Sequence, residues 1–334
     1  MAHYRCDTWG LEKSLEFYVS FFLKSFKNNN NDYLSARVVA YSNVGLILIY
    51  SKPLKEKNGS FYVANPVSRE CVEILFPDTL PLGFETIQEC PTIGIVTRTG
   101  DKGVVLSYKV VLMDERQRET SFTFLIYSSE TGLWSLTTYH LPYSLILRGY
   151  RLAISLNENL HWLSWNSLVG GRVVVSIDFY DGSDRCRVTP FPDSDKTTKF
   201  ERACTASQGF LMYMNIVSED KLCLWRLQSD GWQLISAISP VALISTGLDC
   251  PVTMNPFDGK TAYFYSKEQE GLLSINLHNG KFVLHNQLEH SRDDGRIIVS
   301  VKGPGLMDYF KKSDCSSFVL PQWLHRIPNT MTRV

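Results

Sequence analysis

The sequence predicts an all-β fold, a β-propeller of five to six four-stranded blades with a short N-terminal helix. The first observation is a pair of strand-like segments joined by a polar turn, which recurs at intervals of roughly 50 to 60 residues. Secondly, two further strand-like runs precede each pair, which gives the four antiparallel strands of a propeller blade. Thirdly, runs such as "VGLILIY" and "GFLMYMN" are almost continuously apolar, as strands buried on both faces must be.

The spacing of the turns indicates the subtype of propeller. A period of about 50 residues is typical of kelch-type repeats. Kelch blades usually carry a Gly-Gly pair, and this chain has one, Gly170-Gly171. We therefore interpret the fold as kelch-like. The polar turns centre near Val67, Thr131, Asp181, Ser229 and Asn279.

Five units can be read in order along the chain. The tail adds "RIIVSVKG" and "SSFVLPQWLHRI", which form a partial sixth blade or close the ring against the N-terminal segment, so that no sheet edge is left open. The predicted strands are "ARVVAYS", "GLILIYSK", "FYVA" and "CVEIL"; "TIGIVTR", "VLSYKVVLM", "FLIYS" and "GLWSL"; "RLAISLN", "NLHWLSW", "RVVVSIDF" and "CRVTPF"; "ACTASQG", "GFLMYMNIV", "LWRLQ" and "GWQLI"; and "PVTMNPF", "KTAYFYSK", "LLSINL" and "KFVL".

Residues 1–35 differ from the rest of the chain. Apolar side chains recur there at helical spacing and predict an amphipathic helix docked on the core, the alternative being a helix that binds a membrane surface or a partner. An asparagine-rich run follows. We therefore assign 1–35 to an N-terminal helical segment and 36–334 to the propeller. The apolar stripe consists of Leu11, Leu15, Tyr18, Phe22 and Phe26.

Composition restricts the class of partner and the compartment. Lys plus Arg number 34, as do Asp plus Glu, and this balance favours neither nucleic acid nor an anionic membrane. The eight cysteines are scattered, and no signal-peptide core precedes them. This pattern fits a reducing compartment, cytoplasmic or nuclear. We predict no metal and no cofactor, because no metal-ligand spacing occurs.

Residues that carry chemistry elsewhere are more simply explained by packing in this chain. His161 lies in a predicted strand, where a backbone hydrogen bond is the simplest role. Trp134, Trp225 and Trp232 recur with the fold period, so core packing is favoured over an aromatic ligand box. The acid pairs Asp193/Asp195 and Asp293/Asp294 lie in segments rich in turn residues. We predict no catalytic residues.

A family resemblance emerges from motifs that occur in a fixed order. "NPVSRECVEI" (65–74), "YKVV" (108–111), "IYSSETGLWS" (126–135), "NENLHWLSW" (157–165), "SIDFYD" (176–181) and "LWRLQSDGW" (224–232) resemble elements of plant F-box-associated domains. The resemblance covers roughly residues 40–290. It implies a kelch-like propeller that recognises a protein substrate for an SCF-type (cullin–RING) ubiquitin ligase.

In that family a separate F-box binds the ligase adaptor. Residues 1–40 show no F-box pattern of leucine-proline followed by leucine-rich helices, so the helical segment 1–35 is at best a degenerate F-box remnant. We therefore expect weak or no binding of the SCF adaptor by this chain. One alternative is a propeller scaffold, or a competitor without ligase attachment. A further alternative is a propeller hydrolase or a sugar-binding protein.

The recognition surface is predicted in the loops between second and third strands and in the connections between blades, because binding residues concentrate in loops on rigid scaffolds. These include 51–60, 114–119, 138–150, 266–271 and 290–296. Arginine and tyrosine are common interface anchors. The predicted substrate-binding residues are Arg116, Arg118, His140, Tyr143, Arg148 and Arg292.

Overall fold

Over the residues that it describes, the computed structural model consists mainly of antiparallel β-strands. It divides into two compact units: one holds the first three sheets, and the other holds the next two sheets and a final hairpin. The residues described are 21–22, 33–53, 59–77, 79–81, 84, 92–114, 120–146, 153–166, 170–193, 202–217, 221–238, 248–266, 271–285, 287–292, 295–300 and 327–328.

In the first unit each sheet follows the order of its strands along the chain. The third sheet begins with a strand in two pieces, because β9 and β10 both pair with β11. The strands are β1 (Tyr33–Tyr41), β2 (Ile47–Pro53), β3 (Ser60–Ala64) and β4 (Cys71–Ile74); β5 (Ile93–Thr99), β6 (Val105–Met113), β7 (Ser121–Ser128) and β8 (Leu133–His140); and β9 (Leu145–Ile146), β10 (Ile154–Leu156), β11 (Asn159–Asn166), β12 (Gly171–Asp178) and β13 (Arg187–Pro190).

The second unit repeats the same arrangement twice and ends in a two-stranded hairpin. Its strands are β14 (Arg202–Ser207), β15 (Phe210–Val217), β16 (Lys221–Gln228) and β17 (Gly231–Ile238); β18 (Leu248–Met254), β19 (Thr261–Ser266), β20 (Gly271–Asn276) and β21 (Phe282–His285); and the hairpin β22 (Gln287–Arg292) and β23 (Gly295–Ser300).

Burial follows the position of a strand within its sheet. The second strands are buried on both faces: Leu48 and Ile49 on β2 are fully buried, as is Met214 on β15. The fourth strands are more open, since Leu133 and Leu136 on β8 are more than half exposed. The core therefore lies along the faces of the inner strands, where one sheet packs against the next.

Side-chain caps form the hairpin turns between third and fourth strands. The Asn65 side-chain oxygen accepts hydrogen bonds from the backbone N–H groups of Val67 and Ser68, at 2.9 and 3.1 Å. Asn276 does the same for His278 and Asn279 in the fifth sheet. These asparagines replace lost strand pairing with local bonds, which explains why polar residues mark the turns.

The predicted architecture of repeated four-stranded units is confirmed, with each turn where the sequence indicated it. One expectation was wrong: 290–296 is the hairpin between β22 and β23, not a connection between blades. Of the predicted N-terminal helix only Phe21 and Phe22 are described, both helical, so the helix stays a prediction.

Candidate functional site

Four of the five segments proposed for recognition contain a connection between strands of the expected kind. Segments 54–59, 114–120 and 267–270 connect the second and third strands of their sheets, and 141–153, which contains the short strand β9, leads from the second sheet to β10. We call these four segments, together with His140, the loop set. The turns between third and fourth strands at 65–70, 129–132, 179–186, 229–230 and 277–281 form the turn set.

His140 and Tyr143 are the two predicted binding residues whose side chains are described. His140 is exposed at the end of β8, and its backbone N–H donates to the Asp184 carbonyl at 2.9 Å. Tyr143 is half-buried against the second core cluster, and burial raises the pKa of its hydroxyl above the ordinary value of 10.0. His140 is thus available to a partner, whereas Tyr143 also has a packing role.

The other predicted binding residues are less fully located. Arg116, Arg118 and Arg148 lie outside the described residues. Arg292 is the last residue of β22 and pairs with Gly295 on β23, so it lies in a hairpin strand rather than in the loop set.

A cluster that the sequence did not single out joins the second and third sheets. Two cations contact the ring of Tyr180, with Arg98 Cζ 4.2 Å and Lys109 Nζ 4.4 Å from its centroid. Lys109 Nζ donates to the Phe179 carbonyl at 2.5 Å, and Arg98 forms an ion pair with Glu158 at 3.3 Å. These contacts cross from β5 and β6 to the turns of the third sheet.

Aromatic packing continues this contact into the core. The Phe124 and Trp162 rings stack at 5.7 Å, and the Phe179 ring meets Phe124 edge-on at 5.5 Å. We call Arg98, Lys109, Phe124, Glu158, Trp162, Phe179 and Tyr180 the aromatic junction. Within it, Arg98 pairs with Glu158, and Lys109 bonds to the Phe179 carbonyl. These contacts hold the second and third sheets together.

Burial explains the electrostatics of the aromatic junction. It lowers the pKa of Lys109 from the ordinary value of 10.5, mainly by desolvating the ammonium group. It raises the pKa of Tyr180 to about 12 for the same reason. The tyrosine therefore stays neutral at physiological pH and offers its ring face to the cations.

The fourth and fifth sheets meet through hydroxyl groups instead. Thr205 and Thr253 on β14 and β18 lie 3.0 Å apart at their hydroxyl oxygens, and Ser207 Oγ donates to the Asn255 carbonyl at 2.6 Å. Met214, Met254 and other apolar residues fill the core beside them. We call Thr205, Ser207, Thr253 and Asn255, with Met214 and Met254, the hydroxyl junction.

Residues considered for chemistry are located in packed positions. His161 lies on β11 with Nδ1 2.7 Å from Ser176 Oγ, and burial lowers its pKa to about 4. Trp134 Nε1 donates to the Leu75 carbonyl at 2.8 Å while its ring stacks on Phe76. Trp225 Nε1 donates to Asn215 Oδ1 at 3.1 Å, and the Trp232 ring lies 5.6 Å from Tyr213.

Only one of the four paired aspartates is among the described residues. Asp193 is buried, whereas Asp195, Asp293 and Asp294 lie outside the described residues. Within the ranges that the structure describes, no group of three or more His, Cys, Asp and Glu side chains is arranged to hold a metal ion. Over those ranges, too, no helix has the length and apolar character needed to cross a membrane.

Successive four-stranded antiparallel sheets, each with a polar turn between its third and fourth strands, define the class of protein as a β-propeller. Residues 1–329 match the family described as "F-box protein At3g26010-like, beta-propeller". The chain belongs to this family, and its five four-stranded sheets are propeller blades.

The most similar relatives include plant proteins named as F-box proteins. The chain is 50% identical to F-box protein At3g28330 of Arabidopsis thaliana over 346 residues, which cover all of this chain and 81% of the relative. It is 46% identical to putative F-box protein At3g28280 of the same plant over 66% of this chain and 68% of the relative. The identity with Arabidopsis F-box protein At3g26010 is 31%, over 97% of this chain and 74% of the relative.

Two motifs behind the family resemblance meet in the aromatic junction. Lys109 belongs to "YKVV" and Phe179 to "SIDFYD", and the lysine bonds to the phenylalanine carbonyl. The signal for this cluster was therefore present in the sequence as two motifs. Their contact could not be predicted, because 70 residues separate them.

Proposed function

We propose that this protein is a noncatalytic recognition β-propeller that binds a protein substrate for ubiquitination by an SCF-type (cullin–RING) ubiquitin ligase. The observation that carries the proposal is its 50% identity, over its whole length, to a protein named as an F-box protein. On this reading the chain acts in the cytoplasm or the nucleus with a protein substrate and the ligase adaptor as partners.

The geometry of the described polar residues supports binding rather than catalysis. The buried His161 lies beside Ser176, and its lowered pKa keeps the ring neutral at physiological pH. Arg98 and Lys109 bond to groups of the adjacent blade. These residues build the scaffold, so recognition is assigned to the connections that the scaffold presents.

We place substrate recognition on the loop set. Exposed His140 marks one end of the connection between second and third blades, which contains Tyr143, whereas Arg148 belongs to the segment between β9 and β10. Arg116 and Arg118 belong to the connection between β6 and β7. Arg292 is the last residue of β22 and belongs to a separate hairpin, so it is not part of the loop set.

A second candidate function is that of a scaffold or competitor that binds substrates without recruiting the ligase. The observation that favours it concerns this segment alone: residues 1–40 show no F-box pattern. The two candidates share the propeller and differ only in adaptor binding.

Adaptor binding and substrate ubiquitination together distinguish the candidates. Purified chain is titrated with purified plant adaptor, and the tagged chain is recovered from plant extract with proteasome activity blocked. A ligase receptor predicts a 1:1 complex with a dissociation constant in the nanomolar range, about −12 kcal/mol, and ubiquitinated proteins among those recovered. Captured proteins without adaptor binding would favour the competitor, whereas failure to capture any protein would contradict both.

A further inference from the structure

The turn of the first blade departs from matching turns elsewhere. In the second and fifth blades, Gly132 and Gly280 donate their N–H groups to the carbonyls of Ser128 and Asn276, four residues earlier, both at 2.8 Å. Both glycines have positive φ, 71° and 68°. Such a conformation costs glycine little and most other residues more.

Arg69 occupies the equivalent position in the first blade. Its N–H donates to the Asn65 carbonyl at 2.9 Å, and its φ of 62° lies in the same left-handed region. The turn itself therefore does not require arginine, and glycine would suit it better. A reason for the arginine must come from its side chain.

That side chain reaches the N-terminal segment. The Arg69 guanidinium carbon lies 4.9 Å from the centroid of the Phe21 ring, and Phe21 in turn packs edge-on against Phe22 at 5.4 Å. Phe22 is 2% exposed whereas Phe21 is 45% exposed, so the guanidinium covers the more open of the two rings.

Glu70, the next residue of the turn, contacts a C-terminal segment. Glu70 Oε2 accepts a hydrogen bond from the Ile327 N–H at 3.1 Å, and Ile327 is buried in the first core cluster. Neighbouring residues of one turn thus contact segments near both termini. We call Arg69, Glu70, Phe21 and Ile327 the terminal clasp.

We propose that Arg69 is a positioning residue, which holds the N-terminal segment around Phe21 against the first blade and contributes nothing favourable to the turn. The proposal concerns how this propeller fixes the described part of its N-terminal segment, Phe21 and Phe22. It stands whether or not the chain binds the ligase adaptor.

The test measures the stability of the turn separately from the hydrogen-exchange protection of the segment that Arg69 contacts. In the full chain, Arg69→Gly is expected to leave the thermal midpoint unchanged or higher, because glycine accepts the positive φ. Hydrogen exchange in peptides covering 19–26 should rise roughly two- to fivefold, as expected for loss of an exposed cation–π contact. Arg69→Lys should restore part of the protection, because it keeps the cation.

Two further variants serve as controls. Phe21→Leu should reproduce the faster exchange, and combining it with Arg69→Gly should add little, because both remove the same contact. Gly280→Arg places arginine in the matching turn of the fifth blade, and it should lower the thermal midpoint without changing exchange at 19–26. The proposal is wrong if Arg69→Gly leaves exchange at 19–26 as in the wild type, or raises it only together with exchange across β3 and β4.

Discussion

The aromatic junction and the hydroxyl junction each pack one blade against the next, but with different kinds of side chain. Both join neighbouring blades of the same four-stranded design. In the former, stacked rings and cations carry the contact, whereas paired hydroxyls and methionines do so in the latter. The repeated blade therefore specifies backbone and turns, and leaves the contact between blades free to vary.

The difference has energetic consequences. Interlocked rings fill a fixed shape, so removing one leaves a cavity that its neighbours cannot easily close. Methionine has several rotatable bonds and adapts to altered neighbours. We therefore expect the aromatic junction to tolerate substitution less well than the hydroxyl junction.

The largest expected effect on stability comes from removing one ring from the aromatic junction. Phe179→Ala should lower the free energy of unfolding by about 3–5 kcal/mol, because a buried ring is lost and a cavity remains. Met254→Leu in the hydroxyl junction should cost about 1 kcal/mol or less, since it nearly conserves volume. Urea denaturation of both variants measures the two losses of unfolding free energy. Similar losses would contradict the expected difference between the two junctions.

Acid should weaken the first unit through His161. Since its pKa falls from 6.5 to about 4 in the folded state, the unfolded chain binds a proton between these pH values that the folded chain does not. Stability should thus fall as the pH drops from 6.5 to 4, by on the order of 3 kcal/mol, and should be unaffected by this group above that window.

His161→Gln removes this titration. Unfolding free energies of variant and wild type, measured from pH 7.5 to 4, should differ by an amount that changes only below about pH 6.5. Parallel curves over the whole range would show that His161 is not buried as described.

A smaller effect is expected from the lysine that crosses the aromatic junction. Lys109→Met keeps much of the apolar stem but leaves the Phe179 carbonyl without its donor, at a cost of about 1–3 kcal/mol. Lys281→Met, at an exposed turn position, should change stability by about 0.5 kcal/mol or less. Equal effects in thermal or chemical denaturation would argue against the crossing contact.

The smallest effect concerns the paired hydroxyls. Thr205→Val and Thr253→Val should each cost about 1 kcal/mol, because each leaves the other hydroxyl without this partner. The double variant should cost less than the sum of the two. A double-mutant cycle measures the coupling, and strict additivity would show that the two hydroxyls do not interact.

The blades were predictable from sequence because their signals are local. Apolar runs fix β2 and β15, while Asn65 and Asn276 mark turns that they cap themselves. β22 was missed because "QLEHSR" carries no apolar alternation, and its pairing with "GRIIVS" supplies what its own sequence does not.

Contacts between blades could not be predicted in the same way. The bond from Lys109 to Phe179 and the ion pair of Arg98 with Glu158 join residues 70 and 60 positions apart. The periodic pattern of apolar residues carries no information about such contacts. The proposed binding surface depends equally on which loops the blades bring together, so only its segments, and not its shape, followed from the sequence.

The central claim, that this propeller binds its protein substrate through the loop set, is tested most directly by comparing two groups of substitutions. One variant combines Arg116→Ala, Arg118→Ala, His140→Ala and Arg148→Ala, and its control combines Glu130→Ala and His278→Ala in the turn set. Both are checked for folding by thermal melt, and their affinities for a protein captured from plant extract are measured. We expect a loss of about tenfold or more for the loop variant, equivalent to about 1.4 kcal/mol, and none for the control. Normal binding by the loop variant with weakened binding by the control, both folded, would contradict the claim.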